Sequence, residues 1–378
     1  MGRRRFFAGS INMLAAWLGA GTAVACPFCG TVGRSLAERR DAAEVAAVGE
    51  AAGAAARDDA GLLAQPFELR QPIRGAIAGL ERVTARVEGP VEGTAILFGG
   101  GRDAADRWEA VAADEPLLAH VAAAPATNVP AANRLPWFAA RLEHPDRRIA
   151  EDAFAEFGLA SFEAVREAAG AFDAEKLRAW LAEPAIDQRR RGFYGLALGV
   201  VAAAARDTAE RERCLAALRI AVDAPGSDLR AGFDGLLAGL LVAEGPGGLD
   251  AIVGRGLLAA DTRAGDARHA LAALRFAWES LADTLPRDRV AAATGRLLAN
   301  PAVAADAVVD LARYRRWDDA PRVAAVWDAF GRDDPVVRRA VAGYLTACPA
   351  GTAGPHIDRI RAAEPNRWQE AVAAAGPR

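Results

Sequence analysis

The feature that most constrains this chain is a repeat. From residue 146 onward, a turn carrying Asp, Asn or Pro recurs at Asp146, Asp187, Asp228, Asp266, Asn300 and Asp334, at intervals of 41, 41, 38, 34 and 34 residues. That period is the length of a paired-helix unit, and one such hairpin cannot bury both of its faces, so neighbours must stack into a continuous core. A stretch apolar on one helical face follows each turn, over 149–159, 192–201, 231–242, 270–281, 303–314 and 336–346, and second helices are expected at 162–169, 208–222 and 249–259. The expected fold class is therefore predominantly α: an α-α superhelix of about six pairs, HEAT/armadillo-like, over residues 143–378. Two units share a finer pattern, Gly192, Gly195 and Gly199 matching Gly232, Gly235 and Gly239. Glycine at i, i+3 and i+7 lines one side of a helix, where each costs about 1 kcal/mol of propensity. Close packing of a neighbour is one reading; a groove where a ligand approaches backbone is the other.

The texture before the repeat is different. Short strand-like segments at 67–73, 82–87, 94–98, 107–111 and 117–121 are separated by Gly89-Pro90 and Gly99-Gly100-Gly101, and residues 44–48 read equally as strand or helix turn. Five short strands at this spacing suit a small β-barrel-like module over residues 26–122. Pro125, Pro130 and Pro136 then mark 123–142 as a linker.

Arg3, Arg4 and Arg5 precede an apolar stretch that ends in Ala23-Val24-Ala25, so residues 1–25 read as an export signal removed after Ala25, and the triple arginine followed by Phe6-Phe7 also resembles the twin-arginine export pattern. Gly9, Ser10 and Asn12 interrupt the stretch and argue against a retained membrane span. Export would place the protein in a periplasmic or extracellular compartment. Cleavage makes Cys26 the first residue of Cys26-Pro27-Phe28-Cys29, for which four readings are open: a local disulfide, a lipid anchor on Cys26, a redox-active pair, and a metal site. Cys214 and Cys348 lie in apolar helical runs and read as buried thiols.

Several chemistries are excluded. Basic and acidic residues nearly balance, 46 against 49, which argues against a nucleic-acid partner. The only lysine, Lys176, follows no glycine-rich loop, and the four histidines never fall within a helix turn of one another. Gly254-Arg255-Gly256 follows a helix rather than a strand and is no dinucleotide fingerprint. His144-Pro145-Asp146 is the J-domain tripeptide, but prolines interrupt the helix that must precede it, and Asp146 reads as a helix cap. No cofactor is expected. The arginines after the turns, Arg189, Arg190, Arg191, Arg230, Arg268, Arg338 and Arg339, read either as bridges to the Asp of an adjacent turn or as an anion-binding groove; Arg190, Arg191, Arg230 and Asp234 are the candidate groove residues.

Asp152-Ala153-Phe154, Glu156-Phe157, Arg191-Gly192-Phe193-Tyr194-Gly195-Leu196, Arg230-Ala231-Gly232-Phe233-Asp234-Gly235 and Asp310-Leu311-Ala312-Arg313-Tyr314, with the Cys-Pro-Phe-Cys run, resemble a family of uncharacterised secreted planctomycete proteins. That resemblance implies export and the two-part architecture, and no activity. An N-terminal Cys opening a small barrel is also similar to netrin-like modules, metalloproteinase inhibitors among them; this implies an oligonucleotide/oligosaccharide-binding (OB) barrel, although the spacing here is Cys-x-x-Cys rather than Cys-x-Cys. The leading expectation is an exported, non-enzymatic scaffold that binds an unidentified protein partner. The alternative makes Cys26 and Cys29 a chemically active terminus, chelating or thiol-redox.

Overall fold

The computed structural model describes residue 28 and residues 32–100, 108–226 and 230–376. The chain is mostly helical, with a small sheet near its N-terminal end. Helix α1 (Leu36–Ala42) leads into strands β1 (Val45–Ala51), β2 (Ala56–Arg57), β3 (Leu63–Arg74), β4 (Arg82–Arg86), β5 (Thr94–Gly99) and β6 (Glu109–Ala112). β1 runs antiparallel to both β3 and β5, β3 also pairs with β2 and β4, and β5 with β6. A parallel contact of β4 with β6, the single pair Arg86↔Glu109, returns the pairing to its start. With so slight a seam the sheet curls without being a clear barrel. Period-two alternation sets its two faces. Val45, Ala47, Phe67, Ala95, Leu97 and Trp108 share one core, whereas Ala46, Ile96 and Phe98 point the other way, onto Leu117, Val121 and Ile149.

Two expectations fail between the sheet and the repeat. Residues 117–121 are not a strand: they lie in helix α2 (Glu115–Ala123), capped by Asp114, whose side chain accepts from Leu117 N. Leu117, His120 and Val121 are its buried positions, a spacing of three and four that belongs to a helix. The proline-marked linker likewise contains helix α3 (Ala131–Ala139), which Pro130 starts rather than breaks, and which buries Leu135 and Phe138.

Helices α4 (Arg147–Leu159), α5 (Phe162–Glu167) and α6 (Ala174–Ala182) open the helical part. First and second helices then alternate: α7 (Gln188–Ala204) with α8 (Thr208–Asp223), α9 (Phe233–Glu244) with α10 (Pro246–Gly254), and α11 (Ala264–Ser280) with α12 (Arg287–Arg296). They continue as α13 (Ala304–Arg313) with α14 (Ala320–Phe330) and α15 (Pro335–Ala347) with α16 (Ala350–Ala363), and end at α17 (Pro365–Ala375). α9 packs between α7 and α11, and α15 between α13 and α17. One apolar cluster runs from Phe28 to Ala371 through all of them. At the α11–α13 joint Trp278 stacks on Tyr314 at 3.8 Å, and Arg275 Nε donates to the buried Asp310 at 2.6 Å. Ion pairs link successive second helices at Asp223–Arg255, Asp250–Arg289 and Asp328–Arg359, and Asp288 of α12 pairs with Arg316 in the turn before α14.

The turn residues divide by role. Asp146, Asp187 and Asp334 are helix N-caps, their side chains accepting from Arg148, Arg189 and Val336 N–H groups. Asp266 is instead buried in the first turn of α11, and Asn300 reaches back to the carbonyls of Ala259 and Thr262. Asp228 lies outside the described residues. Cys214 and Cys348 are buried, unpaired thiols.

The six matched glycines are explained by contact. α7 lies on α9 backbone against backbone: a Cβ on Gly235 would overlap the carbonyl of Gly192, one on Gly239 that of Gly195, and one on Gly199 that of Gly239. Gly232, which caps α9, also has φ +76°, a conformation costly for any residue with a Cβ. Gly239→Ala is therefore expected to destabilise by about 1–3 kcal/mol through overpacking. Gly351→Ala, in α16 with nothing near its missing Cβ, should be neutral or stabilising by up to about 1 kcal/mol, and thermal melts of the two variants check the contrast.

The Arg148 guanidinium, hydrogen-bonded to Asp146, holds that carboxyl at about 2, below its ordinary 3.8. A carboxyl depressed on folding stabilises above its unfolded pKa and loses that contribution as pH falls through the folded value. Asp146→Asn should thus flatten the acid limb of the stability profile between about pH 4 and pH 2, read from urea midpoints across that window.

Candidate functional site

The side of the α7–α9 contact nearest their N-termini opens into a groove of about 520 Å³. Phe28 and Phe154 supply its apolar lining, and Glu151, Arg189, Asp234 and His269 its polar groups. Phe28 is 6% exposed, meets Phe276 edge-on at 5.1 Å, and its carbonyl lies at the glycine notch, 3.3 Å from where Gly192 would carry a Cβ. Across the groove His269 Nδ1 stands 3.6 Å from Asp234 Oδ1, and the His269 ring meets Phe233 at a right angle. Arg189 pairs with Asp187 at 2.7 Å and lies 3.6 Å from Glu151, which also accepts from Arg147. The hydrogen bond from Arg189 lowers the Asp187 carboxyl.

Of the residues singled out in the sequence, Arg190 and Asp234 line this groove, whereas Arg191 and Arg230 line a neighbouring depression of about 300 Å³. Arg190 is buried, donating to Leu142 O at 3.1 Å and Glu143 Oε1 at 2.9 Å; the same Glu143 oxygen accepts from Tyr194, whose hydroxyl burial and that carboxylate push up. Arg230 donates to Val222 O and Ala224 O, stacks 3.6 Å above Phe233 and pairs with Asp266 of the next unit at 3.6 Å. Burial lowers its pKa. Both guanidinium groups are thus already engaged with the protein's own oxygens, which leaves Asp234 and Arg189 as the more accessible charges. Cys26 and Cys29 lie outside the described residues, on either side of Pro27 and Phe28 in the chain.

A buried polar cluster beneath the groove was missed. On α4, Asp152 accepts from Leu36 N at 2.5 Å and faces His120 Nε2 at 2.8 Å, while Glu156 accepts from Ser35 Oγ at 2.5 Å and from Arg134. Arg40 donates to Val121 O and Ala124 O, both at 2.7 Å. Four separate segments, 35–40, α2, α3 and α4, are therefore tied together by side chains that are nearly sealed from water. The signal was there: Asp152 and Glu156 sit one turn apart on the stripe that carries Ile149 and Ala153, so two carboxylates fall where apolar residues belong. A second groove, of about 800 Å³, runs along the seam between β4 and β6 and shares Gly33, Glu151 and Ala155 with the first.

No family model, curated protein or solved structure matches the chain. Among the described residues no helix is long and apolar enough to cross a membrane.

Removing one partner of a buried pair strands the other. Glu156→Ala, which leaves Arg134 buried beside an orphaned Ser35 hydroxyl, is expected to cost about 3–5 kcal/mol, measured by denaturant unfolding. A cost no larger than that of an exposed pair would show that the cluster does not hold the segments together.

Proposed function

We propose that the protein is an exported, non-enzymatic scaffold that grips a partner protein in the groove at the N-terminal ends of α7 and α9. The carrying observation is the groove itself: an open cleft of about 520 Å³ with an aromatic floor and side chains of both signs, built where Phe28, Val32 and Gly33 meet consecutive helices. Aromatic anchors within a charged rim are the make-up of a protein contact. The packing of α9 between α7 and α11, and of α15 between α13 and α17, supports a HEAT-like superhelix, whose repeats present extended surfaces of this kind. The β1–β3–β4–β6–β5 pairing circuit supports an OB-type barrel in front of it. In this reading residues 1–25 are removed on export to a periplasmic or extracellular site, and the partner is neither nucleic acid nor a bilayer interior.

A second reading rests on Phe28. Because the residue between Pro27 and Cys29 is buried in the groove wall, a chemically active Cys26/Cys29 terminus, as chelator or thiol pair, would work next to the same cleft. One experiment separates the two. In pull-downs from the native envelope, the scaffold reading expects the Cys26→Ser/Cys29→Ser protein to keep its partner and Asp234→Arg to lose it. Loss with the cysteine variant and retention with Asp234→Arg would transfer the function to the terminus. Intact mass of the exported protein adds the cleavage site, any acyl chain on Cys26 and the state of the two thiols.

A further inference from the structure

The seam that keeps the sheet from closing is built, and its construction points to a ligand. Ala113 N donates to Thr94 O at 3.0 Å, so in the β5–β6 ladder the bonded pairs are Thr94–Ala113, Ile96–Val111 and Phe98–Glu109. Ala110 and Ala112 therefore turn their N–H and carbonyl groups to the opposite edge. There β4 meets β6 only at Arg86↔Glu109, with Arg86 N donating to Trp108 O at 2.8 Å, and no described strand lies opposite the Ala110 carbonyl or the Ala112 N–H and carbonyl. The chain that would have continued the pairing is drawn away after Glu88 by Gly89-Pro90 and then fixed: the buried Gln65 side chain accepts from Val91 N at 2.9 Å and donates to Val91 O at 2.8 Å. The groove of about 800 Å³ occupies the space so opened.

We propose that this edge of β6 binds an extended segment of a partner polypeptide, which adds to the sheet beyond Glu109. A short row of outward N–H and carbonyl groups is complementary to peptide backbone. Charge narrows the class. Arg34 and Arg86 line the groove, are exposed and have no ion-pair partner among the described residues, in contrast to Arg39, which holds Glu109 at 2.9 Å. Among the described residues that line the groove, Glu88 is the one carboxylate without an ion pair, so the segment that fits carries an acidic side chain. This surface lies apart from Asp234 and His269 and does not depend on the helical groove being the principal interface.

The test uses random heptapeptides displayed on phage and selected against the exported chain, followed by synthetic versions of the enriched sequences. Enriched peptides should contain Asp or Glu and bind at least tenfold more weakly to Ala112→Pro, which removes an N–H that the β5 ladder does not use. Arg34→Glu with Arg86→Glu should shift selection to basic peptides, and Asp234→Arg should leave binding unchanged. Should Ala112→Pro fail to fold, amide exchange of Ala112 in the wild-type protein decides: added peptide must slow it at least tenfold. No enrichment, equal binding to folded Ala112→Pro, or unaltered exchange at Ala112 each overturns the proposal, and peptides lost only with Asp234→Arg would belong to the helical groove.

Discussion

α7 approaches α9 so closely that glycine backbone touches glycine backbone, with Gly235 against Gly192, Gly239 against Gly195 and Gly199 against Gly239. Five of the six glycines there lie inside the helices, and each gives up roughly 1 kcal/mol of helix propensity. Van der Waals contact along two buried helices offsets that cost, and what the structure gains is position. With the axes this close, residues at the flanks splay outward, so Arg190 on one helix and Asp234 on the other face a common space rather than each other. The notch at the end of the contact is also where the Phe28 carbonyl rests. Candidate groove, N-terminal segment and helix register all follow from the same missing Cβ atoms.

A different principle joins the sheet to the helices. α4 offers two carboxylates to a segment that approaches through Ser35 and Leu36, and their other partners, His120 and Arg134, come from α2 and α3. Buried polar clusters of this sort add little net stability compared with an apolar core of the same volume, because desolvation takes back most of the electrostatic gain. They do fix geometry: a hydrogen bond from Leu36 N to Asp152 admits one placement of α1, where a greasy contact would tolerate several.

The helical part was legible because its signals are local. Caps at Asp146, Asp187 and Asp334, apolar stripes and the glycine spacing each specify structure within a few residues; α4 and α15 lie within two residues of the expected ranges, whereas α11 starts six residues before its expected start and α10 ends five residues before its expected end. Most of the sheet was legible for the same reason, since the alternation over 82–87 and the short apolar run over 94–98, bounded by glycines, are both local signals. Residues 117–121 were misread because an apolar run of five fits strand and helix alike, and Asp114 with Pro116, the starting signal of a helix, went unused. The region 123–142 was misread because three prolines were weighed as breakers, when Pro130 sits where a proline begins a helix. The site was less legible still. Arg190 and Arg230 read either as bridges to an adjacent turn or as groove residues; Arg230 does reach Asp266 of the next unit, but both also hold carbonyls and Arg190 holds Glu143, groups that only the tertiary fold brings near, such as Leu142 O, 48 positions back in the chain. His120, Arg134 and Ser35 left no pattern at all, since the groups that satisfy them come from distant segments.

The row of ion pairs between second helices has a mechanical consequence. Asp223–Arg255, Asp250–Arg289, Asp288–Arg316 and Asp328–Arg359 are largely solvent-exposed, so dissolved ions screen them over a length of about 10 Å at 0.1 M. The first helices meet through glycine and aromatic contacts that salt does not weaken, and the Arg275–Asp310 pair between α11 and α13 has its carboxylate buried, where screening is much less. One margin of the row of hairpins therefore softens with ionic strength while the other stays stiff. A superhelix built this way would change curvature without breaking any contact in its core, and the electrolyte around the protein would then set how widely its surface is spread.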